Sequence, residues 1–301
     1  MRAEVLADEL ESSSLTFGSY RTRTLTKLSV VPEKVWAAAN GVRTTLKAGL
    51  AHEDTNRDGG ALAPVFELAR EFPNARFRRI ALSYTKTSQV PTYTALNSSA
   101  TAGLFRGNPD LGREKSHTLE LALTGTLSGW NLAGAVFWRR DDSLVDWTFR
   151  QGVTARTANA VDIDVGGIEV VARRSFGACD FVFGYTGLTK DAEYRDALVD
   201  ASFYALNYAR HRITAAAVVR LGHGFELRMD NVVRFQADNL LRVTGGDDAV
   251  STALGVSYRP IAWRGAEFTI QADNLWDSEF QDVPAVPAAR RQVSAGVSYV
   301  W

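Results

Sequence analysis

The sequence predicts an all-β chain: an antiparallel, up-and-down transmembrane β-barrel with about fourteen strands present. Three observations carry this expectation. Apolar and polar residues alternate with a period of two along much of the chain, the links between alternating runs switch between short and long, and aromatic residues gather near the ends of the runs. Helical periodicity is confined to pieces such as "PVFELAREF", and no apolar run reaches the roughly eighteen residues that a membrane helix needs. Membrane strands stay open, because each needs only about ten.

The expected strands are 2–12, 20–32, 41–53, 61–71, 75–87, 116–127, 130–147, 160–175, 179–189, 206–221, 224–237, 249–260, 265–275 and 290–301. In the third, Val42, Thr44, Leu46, Ala48 and Leu50 share one face, and Arg43, Thr45 and Lys47 the other. In 116–127, Leu119, Leu121 and Leu123 oppose Thr118, Glu120 and Thr124, whereas "NLAGAVFWRR" in the next run alternates poorly. Ile213, Ala215, Ala217, Val219 and Leu221 then oppose Thr214 and Arg220, and Phe225, Leu227 and Met229 oppose Glu226, Arg228 and Asp230. Near the end, Phe268 and Ile270 oppose Glu267, Thr269 and Gln271. Polar residues such as Arg43, Lys47, Glu120, Arg220, Arg228, Arg234 and Gln271 are expected to line a solvated lumen. On a lipid face each Arg or Lys would cost about 2–4 kcal/mol near the bilayer midplane.

Short links ("FPN", "LSG", "FGAC", "GHG", "PIAWRG") interleave with longer polar ones at 54–60, 88–115, 149–159, 190–205, 238–248 and 276–289. Membrane barrels have short periplasmic turns and long outer loops. If the last strand ends in the periplasm, every long link falls outside. Tyr84, Trp130, Trp138, Trp147, Tyr185, Tyr258, Trp263, Trp276, Tyr299 and Trp301 lie mostly near strand ends, where interfacial girdles form. A soluble β-sandwich binding module also alternates and stays open as an alternative, though its outer face should be polar.

Composition narrows the function classes. The chain has 301 residues, 46% hydrophobic and 23% charged, with 34 basic and 34 acidic residues. Zero net charge supplies no field to recruit nucleic acid. Cys179 is the single cysteine, which rules out an intrachain disulfide and a thiolate metal cage. The start, "MRAEVLADELESSS", lacks the regions of a secretory signal.

Three phrases bring a family into view. "YTKTSQVPTYTAL" followed by "LFRGNPDLGREKSHTLELAL" resembles a strand, loop and strand of the TonB-dependent outer-membrane receptor barrel, through Gln89, Val90, Pro91 and Leu96 and then Gly107, Asn108, Pro109, Asp110, Leu111, Glu114 and Ser116. The departure is Gly112-Arg113, where the family usually has Lys-Pro. "YALNYARHRITAAAVVRL" is similar to that family's late hairpin. "ADNLWDSEFQDVPAVPAARRQVSAGVSYVW" resembles its C-terminus, with Asn274, Leu275, Asp277 and Phe280 in the "NL.D..Y" phrase.

The resemblance implies a barrel of about twenty-two strands preceded by a plug and a box that engages TonB. Residues 1–301 then form a single barrel domain, the C-terminal part of such a receptor with the plug and first strands absent. The implied function is TonB-energised uptake of a scarce large nutrient, a ferric siderophore or cobalamin, across the outer membrane. The implied partners are outer-membrane lipid, the barrel-assembly machinery, the metal-chelate or cobalamin ligand, and TonB through the plug. A stand-alone passive channel of about fourteen strands is the alternative. No enzyme and no cofactor are expected.

Ligand-loop candidates are Arg106, Asn108, Asp110, Trp276 and Asp277, although Asn108-Pro109-Asp110 equally suits a self-bonded turn, and Asn274 and Asp277 a strand-to-loop transition. Val293, Ala295, Val297, Tyr299 and Trp301 resemble the terminal signal read by the barrel-assembly machinery. Glu53, Asp54, Asn56 and Asp58 in "HEDTNRDGG" have the oxygen chemistry of a calcium loop without its twelve-residue spacing, and a solvated loop is the simpler reading. His117 with Ser116 or Ser143 could be imagined as a hydrolase pair, but nothing in the spacing asks for it.

Overall fold

A computed structural model describes residues 1–18, 21–284 and 286–301. Position 20, at the head of the expected strand 20–32, and position 285, in the expected loop 276–289, lie outside them. Among the described residues there are seventeen strands and one five-residue helix. They fall into two units, residues 1–123, 135–167 and 189–206 in the first, and 124–134, 168–188 and 207–301 in the second. Four long strands contribute residues to both: β8 (Glu114–Leu127), β9 (Trp130–Phe149), β10 (Arg156–Phe176) and β11 (Cys179–Glu193).

In the first unit, β1 (Arg2–Glu9) pairs antiparallel with β2 (Thr22–Val30). Both β2 and β3 (Glu33–Ala37) run along one edge of β4 (Arg43–Thr55), with Val30 opposite Leu50 and Glu33 opposite Lys47. They are therefore one strand bent at Val31-Pro32. The bend presses backbone onto Gly49, where any added Cβ would collide with the Val30 carbonyl and the Val31 Cα. A proline at the bend fits, since it has no N–H to leave unpaired. The ladder continues through β5 (Gly59–Glu71) to β6 (Phe77–Gln89).

Register sorts the side chains of this ladder. Lys27, Glu53, Lys47, Glu67, Ser83 and Arg79 share one face, tied by Lys27 to Glu53, Lys47 to Glu67 and Arg79 to Glu67. On the opposite face, Leu28, Leu50, Leu62, Leu68, Leu82 and Ile80 are all exposed. Apart from His52 between Leu28 and Leu62, and Arg70 opposite Ile80, this exposed face is largely apolar and needs an apolar surrounding.

The second unit repeats the sorting in β13 (Ala209–Gly222), β14 (Phe225–Gln236), β15 (Asp248–Tyr258), β16 (Ala266–Asp273) and β17 (Gln292–Tyr299), an unbroken antiparallel ladder entered from the lower part of β11. Met229, Leu254 and Ala272 are in register with Val293, and Leu227, Val256 and Ile270 with Ala295. The other face carries Arg220 opposite Glu226, Arg212 opposite Arg234, and Gln271 opposite Ser294. The tight turns close through left-handed residues, Ser128 and Gly129 after β8 and Gly222, His223 and Gly224 after β13.

Every expected run has its strand. Three short strands were not expected: β3, β7 (Phe105–Arg106) and β12 (Ala201–Ser202). The helix α1 (Tyr93–Asn97) also arises inside the link expected as plain loop at 88–115. The link expected to be long at 54–60 is instead a tight hairpin, with Thr55 paired to Gly59. Its Asp/Asn/Gly composition suits a turn of any length, which is why sequence overstated it.

Candidate functional site

The loop end of the first unit is built on α1. Thr92 caps it, its hydroxyl accepting from the Ala95 N–H at 3.3 Å, while Pro91 before it is fully buried. Ala95 and Leu96 pack with Leu111 and Ala158 into a small core, flanked by Val145 and Trp147. The "GNPDL" phrase wraps this helix. Gly107 is required because a Cβ there would meet Ser98 and Ala95 backbone atoms at 2.7–2.9 Å. The Asn108 N–H donates to the Ala95 carbonyl at 2.7 Å, and the Asn108 side chain accepts from the Asp110 N–H at 3.0 Å.

Beneath it lies a polar network. Glu53, almost fully covered, accepts from Lys27 and from the Ser88 hydroxyl at 3.2 Å. The Arg113 side chain is 5% exposed and donates to the Gly59 carbonyl at 2.6 Å, the Thr55 hydroxyl at 3.4 Å and the Ser88 hydroxyl at 3.3 Å. Its Nε stands 3.7 Å from Asp58, close enough for charge attraction and too far for a hydrogen bond. Gln89 donates to Glu114 at 3.0 Å, and Arg139 to Asp141 at 3.0 Å and to the Tyr204 hydroxyl at 3.3 Å. Two cavities open on these groups. One, about 610 Å³, is lined by Asp8, Arg23, Lys27, Glu53 and Arg113; the other, about 240 Å³, by Gln89, Glu114, Arg139, Asp141 and Tyr204. Chemically the surface offers fixed donors and acceptors of both signs to a large polar guest.

The tip of the β9–β10 hairpin is clasped on both sides. β7 pairs with β10, Phe105 opposite Arg156, and β12 pairs with β9, Ala201 opposite Phe149. Asp146, nearly fully buried, ties this clasp by accepting from the Tyr204 and Ala205 N–H groups at 3.0 and 2.8 Å and from the Tyr194 hydroxyl at 2.9 Å. Burial and the Asp146 carboxylate push the Tyr194 phenol well above its ordinary value, so it remains a proton donor.

The sequence candidates fare differently. Arg106 lies in β7 with its Nε buried and unpartnered. Asn108 is spent on the turn around α1, and Asp110 stays exposed at that loop. Trp276, 64% exposed, donates to the Thr252 hydroxyl at 2.7 Å, and Thr252 belongs to the apolar face in register with Val250 and Leu254. That makes it a lid on a buried polar pair, Thr252 with Asn231 at 2.7 Å, rather than a residue facing the charged side. Asp277 accepts two hydrogen bonds from Arg290, at 3.1 and 2.9 Å, and one from the Arg291 N–H at 2.9 Å, so it clamps the last loop.

The calcium candidates do not converge. Asn56 accepts from the Thr24 N–H and donates to the Thr22 carbonyl, both at 3.0 Å, and Asp58 faces Arg113. Among the described residues no three acidic, His or Cys side chains gather as a metal site. His117 Nδ1 meets the Tyr84 hydroxyl at 2.9 Å and the Ser143 hydroxyl accepts from Arg195 at 2.8 Å. Sequence reasoning missed the roles of Arg113 and Asp146; the only signal was Arg113 standing where the resembled pattern has a proline, whereas "RRDD" reads from sequence as a charge-paired strand end, and Arg139 does pair with Asp141.

Strands with one largely apolar exposed face and one ion-paired face define the class: a membrane-type β-barrel wall. The profile of the TonB dependent receptor-like β-barrel family matches residues 35–275, and the chain belongs to that family. Its fold is also that of solved relatives. The FrpB iron transporter from Neisseria meningitidis (F3-3 variant) superposes with a TM-score of 0.67 at 16% identity, over 92% of this chain and 46% of that one. The siderophore receptor PirA from Acinetobacter baumannii gives 0.66 at 13%, over 94% and 46%. A mutant of the ferric enterobactin receptor PfeA from Pseudomonas aeruginosa gives 0.65 at 13%, over 92% and 45%. The chain spans about half the length of these structures. No curated protein sequence matches it.

Proposed function

We propose that the chain is the wall of an outer-membrane transporter that takes up a metal chelate with energy from TonB. The carrying observation is the pairing of family membership with a charged face that is ion-paired and hydrogen-bonded across strand after strand. The apolar face sits in lipid, the charged face lines the path, and the loop-end network in the first unit meets the ligand. The solved relatives include an iron transporter, a siderophore receptor and a copper transporter, which favours a metal-bearing cargo over cobalamin. The test is uptake of radiolabelled ferric chelates by cells with and without the gene, in strains with and without functional TonB. TonB-dependent accumulation that is lost with the gene is expected. Gene-dependent accumulation that persists without TonB would instead make it a passive channel.

The strand β17 and the residues after it serve, on this reading, as the assembly signal. Val293, Ala295, Val297 and Tyr299 continue the lipid face of β16, and Trp301 follows fully exposed. Replacing Tyr299 and Trp301 by Ser should reduce the folded, heat-modifiable form on gels while leaving synthesis unchanged.

A further inference from the structure

The second unit holds a cationic pocket outside the network described above. Arg212 on β13 and Arg234 on β14 are direct cross-strand partners on the charged face. Like charges placed opposite each other repel, and only one of the two is compensated. Asp282 of the last loop pairs with Arg234, the Phe280 ring covers that guanidinium at 4.7 Å, and Asn207 holds the Asp282 carbonyl at 3.0 Å. Arg212 is exposed and has no acidic partner within ion-pair distance among the described residues. The two arginines, Gln236, Tyr208 and Asp282 line one cavity of about 250 Å³. Gln236 is 7% exposed, lines that cavity, and its Oε1 is buried without a hydrogen-bond partner.

A buried amide oxygen with no partner costs about 1–3 kcal/mol, and an uncompensated guanidinium beside another one adds repulsion. One guest relieves both: a group that carries a negative charge for Arg212 and an O–H or N–H for Gln236. We propose that this pocket is an anion subsite for a carboxylate-bearing metal chelate, with Arg212 taking, through a two-point contact, a carboxylate that the metal leaves free, and Gln236 accepting from an O–H or N–H that the metal leaves free. In ferric citrate the central hydroxyl and carboxylate hold the iron, and a terminal carboxyl arm left free supplies an anion for Arg212 or, where protonated, an O–H for Gln236. Arg234 acts as the positioning residue, holding the loop through Asp282. This rests on the transport reading and narrows its cargo.

The test uses the full chain in detergent micelles, titrated with ferric citrate and with a neutral ferric hydroxamate, and followed by calorimetry. Wild type is expected to bind ferric citrate and to prefer it to the hydroxamate. Arg212→Gln should weaken ferric citrate at least about tenfold and leave the hydroxamate unchanged. Gln236→Leu should weaken ferric citrate by less than Arg212→Gln does, since it removes an acceptor and no charge. Arg220→Gln, on the same face but paired with Asp180 at the other end of β13, is the control and should change nothing. Equal ferric citrate binding by wild type and Arg212→Gln, or a preference for the neutral chelate, would overturn the subsite and leave metal-chelate transport standing. Failure to bind either chelate would overturn both.

Discussion

Arg113 shows what a single residue contributes here. Its guanidinium is buried among Gly59, Thr55, Ser88 and Asp58, so it joins the β4–β5 hairpin to the segments that flank α1. Truncation would leave a carbonyl and a carboxylate facing an empty, poorly solvated space. Arg113→Ala should therefore lower stability by about 3 kcal/mol, read as a shift in the urea midpoint of refolded protein in micelles, and Arg113→Lys should recover only part of it because a lysine cannot fork to three acceptors. Asp277 makes a pH prediction. The Arg290 hydrogen bonds, then the Arg291 N–H, hold its carboxyl below the ordinary 3.8. A depressed acid stabilises the folded state above its unfolded value, and that contribution disappears as pH falls through the lower folded value. The last loop should thus stay clamped at neutral pH and loosen only below about pH 4, seen as faster protease cleavage within 276–289. Asp277→Asn should loosen it already at pH 7 and abolish the acid step. The place of Asp277 at a strand-to-loop transition was legible from residue type, but the role of Arg113 was not: it sits in a loop phrase, and its burial depends on a hairpin distant in sequence.

Among the elements, strands were legible wherever two-residue alternation persisted, because a one-residue slip would put every charged side chain on the lipid side. The exceptions have local causes. β7 and β12 are two residues long and exist only because they clasp the β9–β10 tip, so no periodicity could announce them. α1 is too short for a helical pattern and is held by the Thr92 cap and by Leu96 packing. β3 was hidden because Pro32 reads as a strand end, whereas the chain bends there and continues along β4. Gly49 carries that bend. Gly49→Ala should destabilise by about 1–3 kcal/mol, since backbone rather than a pliable side chain occupies the space. Gly112→Ala, by contrast, has open space around its Cβ and should be near neutral. The same urea titration compares the two, and similar midpoints would remove the bend as a structural constraint.

At the scale of the molecule, the 34 acidic and 34 basic residues cancel, and the structure shows where they cancel: in ion pairs on the faces opposite the apolar ones. This arrangement separates a membrane wall from a soluble sandwich, whose apolar faces would cover each other. Here Leu28, Leu50, Leu62 and Leu68 in one ladder, and Val250, Val256, Ile270, Val293 and Val297 in the other, remain exposed. Each such side chain is worth about 1.5–3 kcal/mol when fully withdrawn from water, so even about half-exposed these together are comparable to the roughly 5–15 kcal/mol net stability typical of a domain. The folded chain therefore requires lipid or detergent. Refolded in micelles, it should give a strand-rich circular dichroism spectrum and migrate differently on gels before and after boiling. Diluted below the critical micelle concentration, it should aggregate, and sedimentation should show the loss of the monodisperse species. A chain that stays monodisperse with an unchanged spectrum in detergent-free buffer would have covered those faces with protein, and the membrane assignment of both ladders would fall.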